Sequence, residues 1–98
     1  MSKLLANKSF SKGGKSMIRS LAAIFKALGE PTRLKIVRLL LTQELYLCEL
    51  AEVLDMSQPR VSQHIKVLKT AGIIEERKEG QRSFFSVARQ FTGGRVDL

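Results

Sequence analysis

SQPRVSQHIKVLKTAG, residues 57–72, carries its aliphatic side chains at helical spacing. Val61, Ile65 and Leu68 stand at i, i+4 and i+7, so a helix turns all three to one side and buries them together. Ser57 is a good N-cap, because its hydroxyl can accept from a free N–H of the first turn. Gly72 supplies the stop. With that stripe buried, the opposite side presents Gln58, Arg60, Ser62, Gln63 and Lys66, with His64 and Lys69 as further candidates. Between Ser57 and Thr70 there is no acidic residue.

The segments before it read as three more helices. A short one fits Leu47 to Leu54, with Leu47, Leu50, Ala51 and Leu54 inward, Glu49 and Glu52 outward, and a bend at Asp55-Met56-Ser57. Upstream, Glu30-Pro31-Thr32 opens a helix in which Pro31 is tolerated, since the first turn leaves its N–H unpaired anyway. Leu34, Val37, Leu40 and Leu41 form its expected inward stripe, with Arg33, Lys35 and Arg38 outside and an end near Thr42-Gln43. The first helix starts at an N-cap on Ser16 and repeats Ile18, Leu21, Ala22, Phe25 and Leu28 before Gly29. Met17 and Ile24 widen that apolar face, which suits either a dimer surface or a helix buried on two sides.

After Gly72 the period changes. Ile73–Lys78 and Ser83–Val87 read as two strands around Glu79-Gly80-Gln81-Arg82. The expected fold is therefore mainly α with a small β-hairpin: a winged helix-turn-helix of about four helices plus a two-stranded wing. It occupies residues 16–88, behind a flexible basic arm at 1–15 and ahead of a short tail at 89–98 with little regular structure.

Charge narrows the function. The 98 residues hold 17 Lys and Arg against 9 Asp and Glu, a net charge of +8 that suits a polyanion. The charge is also sorted by element. Residues 44–55 carry four acids and no Lys or Arg, directly before the acid-free segment. A helix with that polar, cationic face fits a DNA major groove about 12 Å wide, where Gln and Arg can hydrogen-bond base edges. The free N–H groups after Ser57 can take a phosphate. Arg77, Lys78 and Arg82, with Gln81, surround Gly80 and place cations where a wing tip can follow the backbone; the same cations can equally serve to protect a hairpin edge. The arm is either a phosphate-tracking segment or a solubilising tail. The expected activity is sequence-specific binding of double-stranded DNA. A non-specific architectural DNA binder and a winged-helix protein-interaction module remain as alternatives.

Other classes find little support. No apolar run approaches the roughly 20 residues of a membrane span. MSKLLANKSFSKGGK lacks the apolar stretch of a secretory signal. Cys48 is the single cysteine, which rules out an intrachain disulfide framework. A cytoplasmic protein without membrane contact is expected. One His, one Cys and one Tyr, with no phosphate loop, make an enzyme the least expected class.

The stretches FKALGEPTRLKIVRLL, ELYLCELAEVLDMSQPRVSQHIKVLKTAGII and ERKEGQRSFFSV, between about Phe25 and Val87, resemble the ArsR/SmtB family of bacterial and archaeal winged-helix repressors. The resemblance implies a homodimer that binds a palindromic operator and leaves it when a metal or other chemical signal binds. It places base contacts on Gln58, Pro59, Ser62 and Gln63, with Arg60 and His64 alongside; Pro59 has no N–H to donate, so its role is apolar or one of shape. The arsenic and cadmium sensors of the family carry ELCVCDL where this chain has ELYLCEL. Tyr46 replaces the first thiolate, and a lone Cys48 cannot close a soft-metal site. The family's C-terminal metal helix falls here on ARQFTGGRVDL, with Asp97 as its sole candidate ligand. No metal and no cofactor are therefore expected. Cys48 reads as a small, semi-buried apolar residue, with a reactive thiol near a helix N-terminus as the alternative. The short C-terminus leaves residues 17–28 to supply most of a dimer contact, with Phe84 and Phe91 as candidate additions to it.

Overall fold

The computed structural model describes residues 17–92. The arm at 1–15, the N-cap expected at Ser16, and the tail from residue 93 with Gly93, Gly94 and Asp97 lie outside them. Chain order is α1 (residues 17–28), α2 (Pro31–Leu40), β1 (Leu45–Tyr46), α3 (Leu47–Leu54), α4 (Gln58–Thr70), β2 (Ile74–Glu79), β3 (Arg82–Val87) and α5 (Arg89–Thr92).

In α4 the sequence pattern and the structure agree closely. The Ser57 hydroxyl accepts from the Arg60 N–H at 3.3 Å, and Pro59 sits in the first turn. Val61, Ile65 and Leu68 are buried. At the other end Gly72 takes φ +78°, and the N–H groups of Gly72 and Ile73 donate back to the carbonyls of Lys69 and Leu68. This paired closure needs a left-handed residue, which glycine adopts without a steric penalty.

The turn between α3 and α4 is equally well defined. Asp55 adopts φ 56° and ψ 49° at the end of α3, and the Met56 N–H donates to the Ala51 carbonyl at 3.0 Å. Asp tolerates this left-handed geometry better than most side chains do. At the start of α3, the Glu49 carboxylate accepts from the Tyr46 N–H at 2.8 Å, which satisfies a donor the helix itself leaves open.

Helix α2 departs from expectation in its phase. Glu30 caps it, accepting from the Arg33 N–H at 3.0 Å, and it ends at Leu40, short of Thr42-Gln43. Ile36, Val37 and Leu40 are buried, whereas Leu34 and Leu41 are 51% and 58% exposed. At about 100° per residue, Leu34 and Leu41 lie on a stripe well round the helix from the core contact. Arg33 is turned inward rather than outward, donating through Nε to the Ala27 carbonyl at 2.6 Å. In α1 only Ala27 is buried, with Ile24 and Leu28 packed on the core; Met17, Ile18, Leu21 and Phe25 are exposed.

Two elements were not anticipated. Leu45–Tyr46 pairs antiparallel with β3, so the wing is a three-stranded sheet in the order β1-β3-β2. Its register sets Tyr46 opposite Phe84 and Phe84 opposite Arg77. The β2–β3 turn is the two residues Gly80-Gln81, with φ +64° at Gly80, the φ pattern of a type II′ hairpin turn. Beyond β3, where little regular structure was expected, α5 forms. Ala88 donates to the Ile73 carbonyl at 2.8 Å, the Glu75 carboxylate accepts from the Arg89 N–H, and Phe91 packs on the core. The core joins Ile36, Leu50, Val61, Leu68, Ile73 and Phe85, so the helices and the sheet share one apolar centre.

Candidate nucleic-acid interface

Because Val61, Ile65 and Leu68 are buried, α4 turns Gln58, Pro59, Arg60, Ser62, Gln63 and Lys66 to solvent, all of them exposed. The side chains of Gln58, Arg60, Ser62, Gln63 and Lys66 have no hydrogen-bond or ion-pair partner among the described residues. Five polar groups on one helix face thus keep their bonding capacity for something outside the chain. Ser57 sits at the start of this face, its hydroxyl occupied by the cap.

The margins of the face are tied down. Lys69 pairs with Glu76 of β2, and Glu76 also accepts from the Ser83 hydroxyl. The Lys69 ammonium, then the Ser83 hydroxyl, hold the Glu76 carboxyl below its ordinary range. This fixes the wing to the last turns of α4. On the other flank His64 is half-buried, its Nδ1 3.4 Å from Arg33 Nη1 and 3.9 Å from Glu30 Oε1. It turns toward the α1–α2 junction and stands apart from the outward group. Glu30 is held as a carboxylate chiefly by the Arg33 backbone N–H, with the nearby His64 ring adding to the effect.

The wing sorts its cations into committed and open ones. Arg77 donates to Glu44 at 2.7 Å and to Glu79 at 3.1 Å, with its guanidinium 4.4 Å from the Phe84 ring centre. The Glu44 carboxylate is the main reason that the Arg77 pKa is raised. Phe84 stacks on Tyr46 with centroids 4.0 Å apart, and the Arg82 guanidinium lies 4.6 Å over Tyr46. Contact with Tyr46 is likewise the first cause of the raised Arg82 pKa. Arg77, Phe84, Tyr46 and Arg82 therefore form one cation–aromatic stack across the sheet. Lys78 and Gln81 are exposed and have no hydrogen-bond or ion-pair partner among the described residues, although the Lys78 charge lies near enough to Glu76 to help lower its pKa. A cleft of about 210 Å³ lined by Gln58, Gln81 and Arg82, together with Tyr46 and Cys48, brings the start of α4 and the wing tip to one place.

Cys48 corrects an expectation: it is exposed rather than semi-buried. Helix α3 buries Leu50 and Ala51, and a residue two positions before Leu50 lies about 160° round from it. Sequence reasoning also missed Tyr46, Phe84, Glu44 and Arg33 as parts of the scaffold. Their partners are strands or helices away, and only the adjacent aromatics Phe84 and Phe85, necessarily on opposite faces of a strand, offered a hint.

A family model for bacterial regulatory proteins of the arsR family matches residues 30–76. An HTH-type transcriptional regulator of Methanocaldococcus jannaschii is 43% identical over 67 residues, covering 67% of this chain and 75% of that protein. This chain belongs to the ArsR family of transcriptional regulators. The transcriptional repressor SdpR of Bacillus subtilis is 36% identical over 64 residues, covering 65% of this chain and 71% of the repressor. For the arsenical resistance operon repressor of Escherichia coli the match is 45% over 60 residues, covering 59% of this ArsR-family chain but 50% of the relative. Among solved structures, a homodimeric winged helix-turn-helix DNA-binding domain from Mycobacterium bovis superposes with a TM-score of 0.75 at 28% identity, covering 86% of this chain and 82% of that one. Reduced HlyU from Vibrio cholerae gives 0.73 at 29% identity, covering 89% and 92%. The chain is a regulator of transcription and not an enzyme, and its fold is the winged helix-turn-helix. Among the described residues no helix is long and apolar enough to cross a membrane, and no group of three or more His, Cys, Asp or Glu is placed to hold a metal ion.

Proposed function

We propose that this ArsR-family regulator represses transcription as a homodimer that reads a two-fold operator with α4 and grips its backbone with the wing. The observation that carries this reading is the set of unpartnered polar side chains on the outer face of α4, beside a wing whose tip shares a cleft with Gln58. Gln58, Ser62 and Gln63, with Arg60, contact base edges, while Pro59 packs against the groove wall. Lys66, Lys78 and Arg82 meet phosphates, together with the N–H groups after Ser57 and the Gln81 amide. Arg77 takes a structural share, because two carboxylates and a ring already hold it. His64 sets the angle between α4 and the α1–α2 junction.

A second copy supplies the symmetry. Met17, Ile18 and Phe25 are 59%, 63% and 69% exposed on one helix, and a contiguous apolar face of this kind marks an association surface. Pairing α1 with its own copy is isologous, and it sets two α4 helices to half-sites about one DNA turn apart.

Selection of bound duplexes from a random pool tests the proposal. Enriched inverted half-sites support it, with a preference over random DNA of about 10³ or more. A flat pool, with affinity governed by salt alone, overturns it in favour of an architectural binder.

A further inference from the structure

An open groove of about 470 Å³ lies between α1 and α4. Its floor is mostly aliphatic, made by Ala23, Ala27, Val67 and Ala71 beside Thr70, while Lys26, Arg33 and Lys66 stand around it and no acid lines it. Lys26 and Lys66 have no partner among the described residues. Arg33 spends Nε on the Ala27 carbonyl and sets Nη1 against His64. The volume falls within the roughly 300–1,000 Å³ of small-molecule sites, and an apolar floor with a few convergent polar groups is their usual make-up. Beyond the rim cations the lining offers one hydroxyl, that of Thr70, too little to read the edge of a nucleotide base, and it holds no carboxylate, thiolate or imidazole for a metal ion.

We propose that the groove binds an organic carboxylate with an apolar body, such as a medium-chain fatty acid, and that its occupancy weakens DNA binding. The regulatory half rests on the assignment of α4 to DNA given above. The apolar body covers Ala23, Ala27 and Val67, and the carboxylate meets the cationic rim. Lys66 is the link. With the groove empty its ammonium is available to a DNA phosphate; with the groove filled it turns to the carboxylate, whose own charge also repels the duplex. Each phosphate contact withdrawn lowers the log–log salt slope by about 0.9.

The test titrates the full chain with decanoate, below its micellar concentration, and with uncharged decanol as control. Amide NMR shifts report the groove, and duplex affinity is measured in parallel. Saturable decanoate shifts at Ala23, Ala27, Val67 and Ala71, weaker with decanol, support the site. Lys26→Gln should reduce decanoate affinity by up to about fivefold. Loss of operator affinity on decanoate addition, with a shallower salt slope, supports the coupling. Equal shifts from decanol, no saturable shifts, or indifference to Lys26→Gln overturn the site. Groove shifts that depend on protein concentration and not on decanoate assign the groove to a second copy, and also overturn it. A filled groove with unchanged DNA affinity overturns the coupling. The NMR arm needs no DNA, so failure of the operator reading remains distinct from failure of the site.

Discussion

Separate truncation of Gln63 and Lys66 distinguishes the two kinds of contact assigned to α4. Both side chains are exposed and unpartnered among the described residues, so replacing either with Ala should leave folding stability within about 0.5 kcal/mol of the parent. Changes in affinity then report DNA contacts directly. Gln63→Ala removes a base-edge contact worth about 1–3 kcal/mol of discrimination at each half-site, and a dimer loses it twice. The preference for the selected operator over a scrambled duplex should fall by roughly 2–6 kcal/mol, while scrambled-duplex affinity stays nearly constant. Lys66→Ala removes one phosphate contact per protomer, so the log–log salt slope should become shallower by about 1.8. Its penalty should then shrink about twelvefold as salt rises from about 50 to about 200 mM, equally for both duplexes. Fluorescence anisotropy at several salt concentrations measures all four combinations. If Gln63→Ala weakened both duplexes alike, or Lys66→Ala discriminated between them, the assignment of roles along α4 would be wrong.

Replacing Phe25, which points into solvent from α1, with Asp should yield a folded monomer, seen as a halved mass in light scattering with unchanged far-UV circular dichroism. Leu68 is fully buried, so Leu68→Ala should cost about 2–5 kcal/mol in urea unfolding. Asp55→Gly relieves the left-handed strain at φ 56° and should raise stability by up to about 1 kcal/mol, whereas Asp55→Val should lower it by about 1–2 kcal/mol. Glu76 is the pH-sensitive tie between α4 and the wing. Its carboxyl is held below the ordinary glutamate value of 4.5, first by Lys69 and then by Ser83. The unfolded chain therefore binds the proton more readily, and the stabilisation present above that value is lost as pH falls through the depressed one. Glu76→Gln should flatten the acid limb of a stability-versus-pH curve below about pH 4.5 without changing the shape of its neutral limb.

What could be read in the sequence follows from how local each determinant is. Val61, Ile65 and Leu68 between Ser57 and Gly72 left one helical phase open, and the cap and closure at either end are made by neighbours within a few residues. The phase of α2 was ambiguous because Leu34, Ile36, Val37, Leu40 and Leu41 spread over an arc of about 160°, wider than one core contact uses; packing against α4 and β3 chose the Ile36–Val37–Leu40 side. The two residues of β1 become a strand only by pairing with Phe84 and Phe85, a contact that no local pattern encodes. The same holds for α5, which depends on Glu75 and Ile73. Within the candidate interface the outer residues of α4 were predictable as what remains once the core is taken away. The division of the wing cations was not, because Glu44, Tyr46 and Phe84, which hold Arg77 and Arg82, come from other strands or the loop before β1.

Side-chain and backbone amide shifts on addition of a selected duplex probe the outer face of α4 most directly. The account predicts that the carboxamide signals of Gln58 and Gln63 and the backbone signals of Lys78 to Arg82 move together and saturate at one dimer per duplex, while Leu34 and Val53 stay still. Shifts confined to the α2–α3 side, with both glutamines unmoved, would contradict it.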